Sequence, residues 1–305
     1  MGRSRKRGRD VHGVLPLDKP LGMSSNQALQ RVRRLFDARK AGHTGSLDPL
    51  ASGVLPLCLG EATKLSAFLL DADKTYEFDC QLGTRTSTGD AEGEVVESAE
   101  VPTLDEARLE SVLADFRGDI EQIPPMYSAL KHKGERLYRL AREGVEVERE
   151  PRRVTIHALS CLAINPPVLS LRAQCSKGTY IRVLAEDIAA ALGTVGHVSR
   201  LRRVGAGPYS EDELVSLEAV EEAAEQGQEA LDALLQPADT ALAGWESVNL
   251  SADMDWYFRQ GQAVQVAGAP VAGRVRVYAE DRGFLGIGEI LDDGRVAPKR
   301  LLHTG

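Results

Sequence analysis

The stretch TYEFDCQL, residues 75–82, alternates without interruption. Tyr76, Phe78, Cys80 and Leu82 fall on one side, and Thr75, Glu77, Asp79 and Gln81 on the other. Successive side chains of a strand point to opposite faces, so this pattern specifies a half-buried β-strand. LSLRAQC repeats it, setting Leu169, Leu171, Ala173 and Cys175 against Ser170, Arg172 and Gln174. GVLPLDKP (13–20) reads as a buried strand ended by Lys19-Pro20, and VLPLCL (54–59) and VTIHALSCLAI (154–164) add two more. Between them lie helical patterns. In 24–40, Ser24 and Gln27 have capping-box spacing while Ala28, Val32, Leu35 and Phe36 share a face. Further helices are expected over 62–72, over 104–117 with Thr103 and Glu106 at capping-box spacing, and over 179–193. The acidic segment 211–235 also has a helical pattern. Strands and helices mix without strict alternation, which predicts an α+β fold rather than a doubly wound sheet.

At 305 residues the chain is long for one domain, and a large domain with a small companion is the expected organisation. From Trp245 onward the texture changes to short β-like runs rich in glycine: AVQVAG, GRVRVYA, GFLGIGEI and GRVAPKRLL. The expected division is therefore 1–244 and a β-rich 245–305.

Hydrophobic content of 43% and charged content of 27% are those of an ordinary globular chain. The longest apolar runs, such as FLL at 68–70, are far too short to cross a membrane. The N-terminal MGRSRKRGRD has no apolar signal core, which predicts a cytoplasmic location. Cys58, Cys80, Cys161 and Cys175 show no C-x-x-C pair and no zinc-finger histidine spacing, so reduced, packed cysteines and no structural metal are expected.

The formal charge of −8 argues at first against a polyanionic partner. Its distribution reverses that reading. Between Val204 and Gly273 there are thirteen acids and one base, Arg259. The remainder is net positive, with bases bunched at Arg3 to Arg9, Arg31 to Lys40 and Lys131 to Arg153. Separated charge of this kind lets one face attract RNA or DNA while the whole protein stays acidic.

There is no P-loop, complete dinucleotide fingerprint, G-x-S-x-G or H-E-x-x-H, so ordinary side chains must carry any chemistry. Three segments offer candidates. The loop HTGSLDPLASG (43–53) presents Asp48 directly before Pro49, which biases it away from helical angles and stiffens a carboxylate; an Asp-Pro turn with no further role reads equally from the same residues. Tyr76 is either a core tyrosine beside Phe78 or a platform for a nucleobase. CSKGTYIR (175–182) brings Tyr180 and Arg182 to a strand–turn–helix junction, where the guanidinium can pair with a carboxylate or cover a sheet edge. Brought together, these groups suit an enzyme acting on a base extruded from an RNA stack. A non-enzymatic RNA binder shares the charge pattern but has no use for an anion in its groove. A glycoside hydrolase lacks a second well-placed acid beside Asp48.

GVLPLDKPLGMSSNQALQRVRR, AGHTGSLDPLASGVLPLCLGEATK, DKTYEFDCQLGTRTSTGDAEG, FRGDIEQIPPMYSALKHKGERLYRLAREG and CSKGTYIRVLAEDIAAALG, in that order, resemble the bacterial TruB family, the tRNA pseudouridine-55 synthases. The resemblance implies a mixed-sheet pseudouridine synthase core with a small C-terminal PUA-like RNA-binding domain. It implies an isomerase that detaches the T-loop uracil of tRNA at N1 and rejoins it through C5. On that analogy Asp48 is the catalytic carboxylate, Tyr76 stacks on the flipped base, and Arg182 pairs with Asp48. His43, Tyr180 and Leu201 line the RNA or base pocket, and 124–152 is a basic thumb that grips the T loop. Lys19-Pro20 supports the site. An isomerisation with no net redox change needs no cofactor, and neither a metal nor an obligatory protein partner is expected; the chain is expected to act as a monomer on the tRNA T stem-loop, away from membranes.

Overall fold

The computed structural model describes residues 8–303 apart from Ala129 and Lys133, and the side chains of Lys131 and Arg142 are also outside the description. Of the three basic clusters, the terminal one up to Arg7 therefore lies outside the described residues.

The two alternating segments are adjacent antiparallel strands, Lys74–Leu82 and Val168–Cys175, with Phe78 opposite Leu171 and Tyr76 opposite Ala173. They lie in the middle of a sheet ordered Val215–Ser216, Gly13–Lys19, Ala51–Leu59, Gly196–Ala206, Lys74–Leu82, Val168–Cys175, Arg152–Asn165 and Gly118–Gln122. Gly13–Lys19 runs parallel to Val215–Ser216, and Ala51–Leu59 runs parallel to Gly196–Ala206. The other pairs along this order are antiparallel. The sheet is mixed and the fold is α+β.

The apolar parity of Lys74–Leu82 faces one core layer. Phe78, Cys80 and Leu82 are buried there beneath the helices Ser25–Leu35, Glu106–Asp115, Ile181–Ala191 and Leu217–Gln226. Val14, Val54, Cys58, Ala206 and Tyr209 form a second layer on the opposite face, together with Leu65, Leu69 and Leu242. Ile287 and Leu302 complete that second layer. Ile287 lies in, and Leu302 directly follows, a four-stranded sheet of Ser247–Leu250, Arg274–Ala279, Gly283–Ile290 and Val296–Leu301, which has its own core around Val275, Val277 and Phe258. The small sheet thus packs onto the back of the large one. Phe68 meets Trp245 edge-on at 5.2 Å between ring centroids, and the Lys64 amine donates to Leu301 O at 2.8 Å.

Several elements differ from expectation for local reasons. The Ser24–Gln27 capping box forms, but its helix ends at Leu35 rather than Lys40, because Asp37 takes φ 45 and turns the chain. Thr103 does not cap the 104–117 helix; Asp105 does, accepting from the Arg108 N–H at 2.7 Å, and the helix is Glu106–Asp115. The 62–72 helix divides into a 3-10 turn, Gly60–Lys64, and a short helix, Ser66–Asp71. Outside the expected elements, Thr84–Thr86 pairs with Val95–Ser98 in a two-stranded ribbon. Within the basic 124–152 stretch the helix is Leu137–Arg142. AVQVAG is not a strand, apart from a single bridge of Val264 to Val296. Ala252–Arg259, which shows no helical signal beside its β-rich neighbours, is a helix capped by Ser251 that buries Phe258.

Candidate active site

The loop between Ala41–His43 and Ala51–Leu59 is held from three directions. The Leu47 N–H donates to the Ser25 hydroxyl at 2.7 Å, which returns a bond to Leu47 O at 3.2 Å, tying the loop to the first turn of a helix. Pro49 O accepts from the Gly22 N–H at 2.8 Å. Asp48 O accepts from the Ala51 N–H at 3.0 Å, closing a β-turn with Pro49 in its second place, where the proline ring presets φ. Asp48 is therefore both a turn former and a carboxylate on a fixed support. Two glycines permit the shape. Gly45 has φ 114, and a Cβ on Gly53 (φ 98) would stand 2.2 Å from Arg203 O, where the loop's exit strand meets Gly196–Ala206.

Opposite Asp48, the helix Ile181–Ala191 begins directly after Tyr180 and projects Arg182 from its first turn. Nη2 of Arg182 lies 3.0 Å from Asp48 Oδ2 and 2.8 Å from Tyr127 O, and Nη1 donates to Thr88 O at 2.8 Å. The Arg182 side chain is 7% exposed against 42% for Asp48, so the arginine is the buried member and the carboxylate opens onto the cavity. A second acid lies behind this pair but is not placed to act with Asp48. Asp90 Oδ2 lies 3.7 Å from Arg182 Nε, but Asp90 is buried and accepts from the Thr88 hydroxyl and the Glu92 N–H. It does not line the cavity.

That cavity, about 280 Å³, is walled by Asp48, Tyr76, Tyr180, Arg182 and Leu201, so five of the six expected site residues converge on it. Its volume is at the small end of ligand sites, a size suited to one planar ring. Leu201 faces it from the strand position between Ala51 and Phe78. Tyr180 is locked through its backbone, its N–H donating to Gln122 Oε1 at 3.0 Å while its carbonyl accepts from Gln122 Nε2 at 3.2 Å. His43 is the exception. It lies on the strand before the loop, paired with Leu57, and is not among the lining residues; its Nδ1 is buried without a hydrogen-bond partner among the described residues, and burial, then the charge of Arg203, push its pKa down.

Charge is unevenly compensated around this cavity. Burial pushes the Asp48 carboxyl above the ordinary aspartate value, against the opposing pull of Arg182 and Lys19. Burial also raises the Tyr76 phenol, and the neighbouring Arg203 guanidinium opposes it. Lys19 is fully buried, with its amine donating to Pro20 O at 2.8 Å and to Met23 O, and burial lowers its pKa to about 8. Lys74 also has its pKa lowered to about 8 by burial; its amine donates to Leu70 O at 2.7 Å, Leu69 O at 3.2 Å and Ala72 O. Arg203, 1% exposed, donates from Nε to Val54 O at 2.6 Å and from Nη2 to Gly45 O at 3.2 Å.

Sequence reasoning missed Lys74 and Arg203, although a signal existed. Lys74 has the same parity as Tyr76 and Phe78, and Arg203 the same parity as Leu201. A cation on the inward side of an alternating strand is out of place in an apolar core and marks a polar hole beneath it.

Residues 33–181 match the family described as TruB family pseudouridylate synthase (N terminal domain). Residues 182–243 match the tRNA pseudouridylate synthase B C-terminal domain, and 247–302 match Pseudouridine synthase II TruB, C-terminal. The chain is 55% identical over 300 residues to a tRNA pseudouridine synthase B of Nitrosococcus oceani, covering 98% of this chain and 97% of that one. It is 53% identical over 305 residues to the protein of the same name from Pseudomonas aeruginosa, with both chains covered completely. Among solved structures, it superposes on a chain of a Cbf5-Nop10-Gar1 complex with a TM-score of 0.71 at 25% identity, covering 95% of this chain and 84% of that one. A chain of an H/ACA RNP bound to a substrate RNA containing 2′-deoxyuridine gives a TM-score of 0.73 at 24% identity, covering 95% and 85%, and supports the fold.

Proposed function

The chain belongs to the TruB family of pseudouridine synthases, and from that premise we propose that it converts the T-loop uridine at position 55 of tRNA to pseudouridine with Asp48 as its catalytic carboxylate. It is an isomerase acting on a uridine of tRNA. The observation that carries the assignment of the site is the Asp48–Arg182 pair at 3.0 Å on the wall of a ring-sized cavity faced by Tyr76 and Tyr180.

A uridine stacked in a folded loop is out of reach of such a recessed carboxylate, so the nucleotide is extruded into the cavity before reaction. The two tyrosines replace the stacking it gives up. Arg182 aims the carboxylate and offsets part of the cost of keeping it ionised in a confined site. Asp48 then acts on the nucleotide as the N1–C1′ bond is broken, and the enclosing walls retain the loosened uracil until it turns and bonds through C5. Leu201 supplies an apolar floor. His43 sits behind the loop and acts on RNA entry rather than on the base. The basic 124–152 insertion grips the T loop, and 245–305 serves as a PUA-like RNA-binding domain beside the catalytic 1–244. The protein works as a cytoplasmic monomer without an obligatory protein partner or cofactor.

The test is reconstitution. Unmodified tRNA transcript incubated with this chain alone is expected to acquire pseudouridine at position 55, and an Asp48→Asn chain to leave that position unchanged. Conversion by the Asn variant at a normal rate would remove Asp48 from its role, and an unmodified transcript would overturn the reading as a whole.

A further inference from the structure

The buried cations around the cavity fall into two kinds. Arg182 faces two carboxylates, Asp48 and Asp90. Arg203 and Lys74, which line the same cavity, have no carboxylate within ion-pair distance among the described residues, and their hydrogen bonds end on backbone carbonyls and, for Arg203, on the uncharged Tyr76 phenol. An isolated buried charge is costly, and ions this deeply enclosed are ordinarily matched by an opposite charge. Two such cations in one small cavity form a site short of one negative charge. The Tyr76 ring is at the same place, opposite Arg203 in strand register and in contact with its guanidinium.

We propose that Arg203, assisted by Lys74, is a further catalytic residue, which stabilises the negative charge that develops on uracil when its bond to the sugar breaks. The proposal rests on the function assigned above. Heterolysis of N1–C1′ leaves the bonding electron pair on the base, spread over N1, O2 and O4, and leaves C1′ electron-poor on the side of the Asp48 carboxylate. The base returns an electron pair through C5 to form the new bond. C5 then gives up its proton and N1 gains one, so the product has the composition of the substrate. The two charges created at cleavage thus find opposite charges in one cavity, the carboxylate for the sugar and the uncompensated cations for the ring. Donors already fixed where charge appears need no reorganisation during the reaction.

The experiment uses a T stem-loop RNA carrying either uridine or 5-fluorouridine at the target position, with single-turnover loss of the N1–C1′ bond as the readout. Fluorine withdraws electrons from the ring, so its anion departs with less help. Arg203→Gln is expected to slow uridine cleavage about a hundredfold, the loss typical of removing one charge-stabilising donor, with RNA affinity unchanged. The deficit is expected to shrink with 5-fluorouridine, and Arg203→Lys is expected to retain most of the rate. Equal deficits on both bases, or Lys failing as badly as Gln, would reduce Arg203 to a clamp between Val54 and Gly45 and overturn the proposal. If Arg203→Gln does not fold, Lys74→Gln takes the same test, and equal deficits there overturn it likewise. The unaltered protein is the control that separates this outcome from failure of the assigned function.

Discussion

The cavity and the outer face of the C-terminal sheet handle charge in opposite ways. Around the cavity, Arg182, Arg203, Lys74 and Lys19 are almost completely enclosed. In the turn joining the last two strands of the C-terminal sheet, Arg295–Asp293 is about half exposed, at 48% and 50%, and Lys299–Glu289 on those strands is similar at 47% and 38%. Water and salt screen the exposed pairs, so they hold little of the fold. Enclosed ions lose hydration that their neighbours must replace, and every change there is felt. Chemistry and stability compete inside the cavity and are nearly independent outside it.

The sharpest break in this contrast is Asp48→Asn. Turnover is expected to vanish while the melting temperature at neutral pH rises. The sign follows from the direction of the shift. A carboxyl whose folded pKa lies above its unfolded value is disfavoured as an anion in the fold, so its cost appears as pH rises through the raised value and is absent in acid below both. The gain in the Asn variant should therefore disappear in acid, and calorimetry across pH checks it. The wild-type rate should fall, as pH drops, at a higher pH than an ordinary aspartate would dictate.

Arg182→Gln comes next. It strands the buried Asp90 carboxylate, and the loss is expected to be about 3 kcal/mol in denaturant unfolding, together with most of the activity. Tyr76→Phe removes a hydroxyl and keeps the ring, so RNA affinity should hold and turnover fall. A tenfold weaker Kd, about 1.4 kcal/mol, would count against a stacking role. Arg295→Ala anchors the other end of the scale. No shift in melting temperature is expected, and a clear one would mean that the outer sheet is as charge-sensitive as the cavity.

Much of the architecture was legible because it follows from periodicity. The alternation in 75–82 and 169–175 placed two central strands and their buried faces, and Ser24–Gln27 marked a helix start. Asp48, Tyr76, Tyr180 and Arg182 were legible as types suited to one chemistry, and the family resemblance added Leu201, whose apolar side chain announces nothing by itself. Helix ends were less readable. Asp37 leaves the helical region in a run that still looks periodic, and Thr103 competes with Asp105 for the same cap. Asp90 escaped because its link to Arg182 joins residues far apart in sequence. Lys74 and Arg203 were obscured for a related reason, since most of their partners are main-chain oxygens, which every residue carries and no motif records.

The apolar layer shared by Val54, Cys58 and Leu65 with Ile287 and Leu302 has a practical consequence for dissecting the protein. The last sixty or so residues are no detachable appendage. Cutting them away would bare the rear of the sheet that carries the Asp48 loop, and a shortened chain is expected to lose solubility and turnover for reasons unrelated to tRNA. Any role of that end in RNA binding is better measured by changing single outward side chains than by deletion.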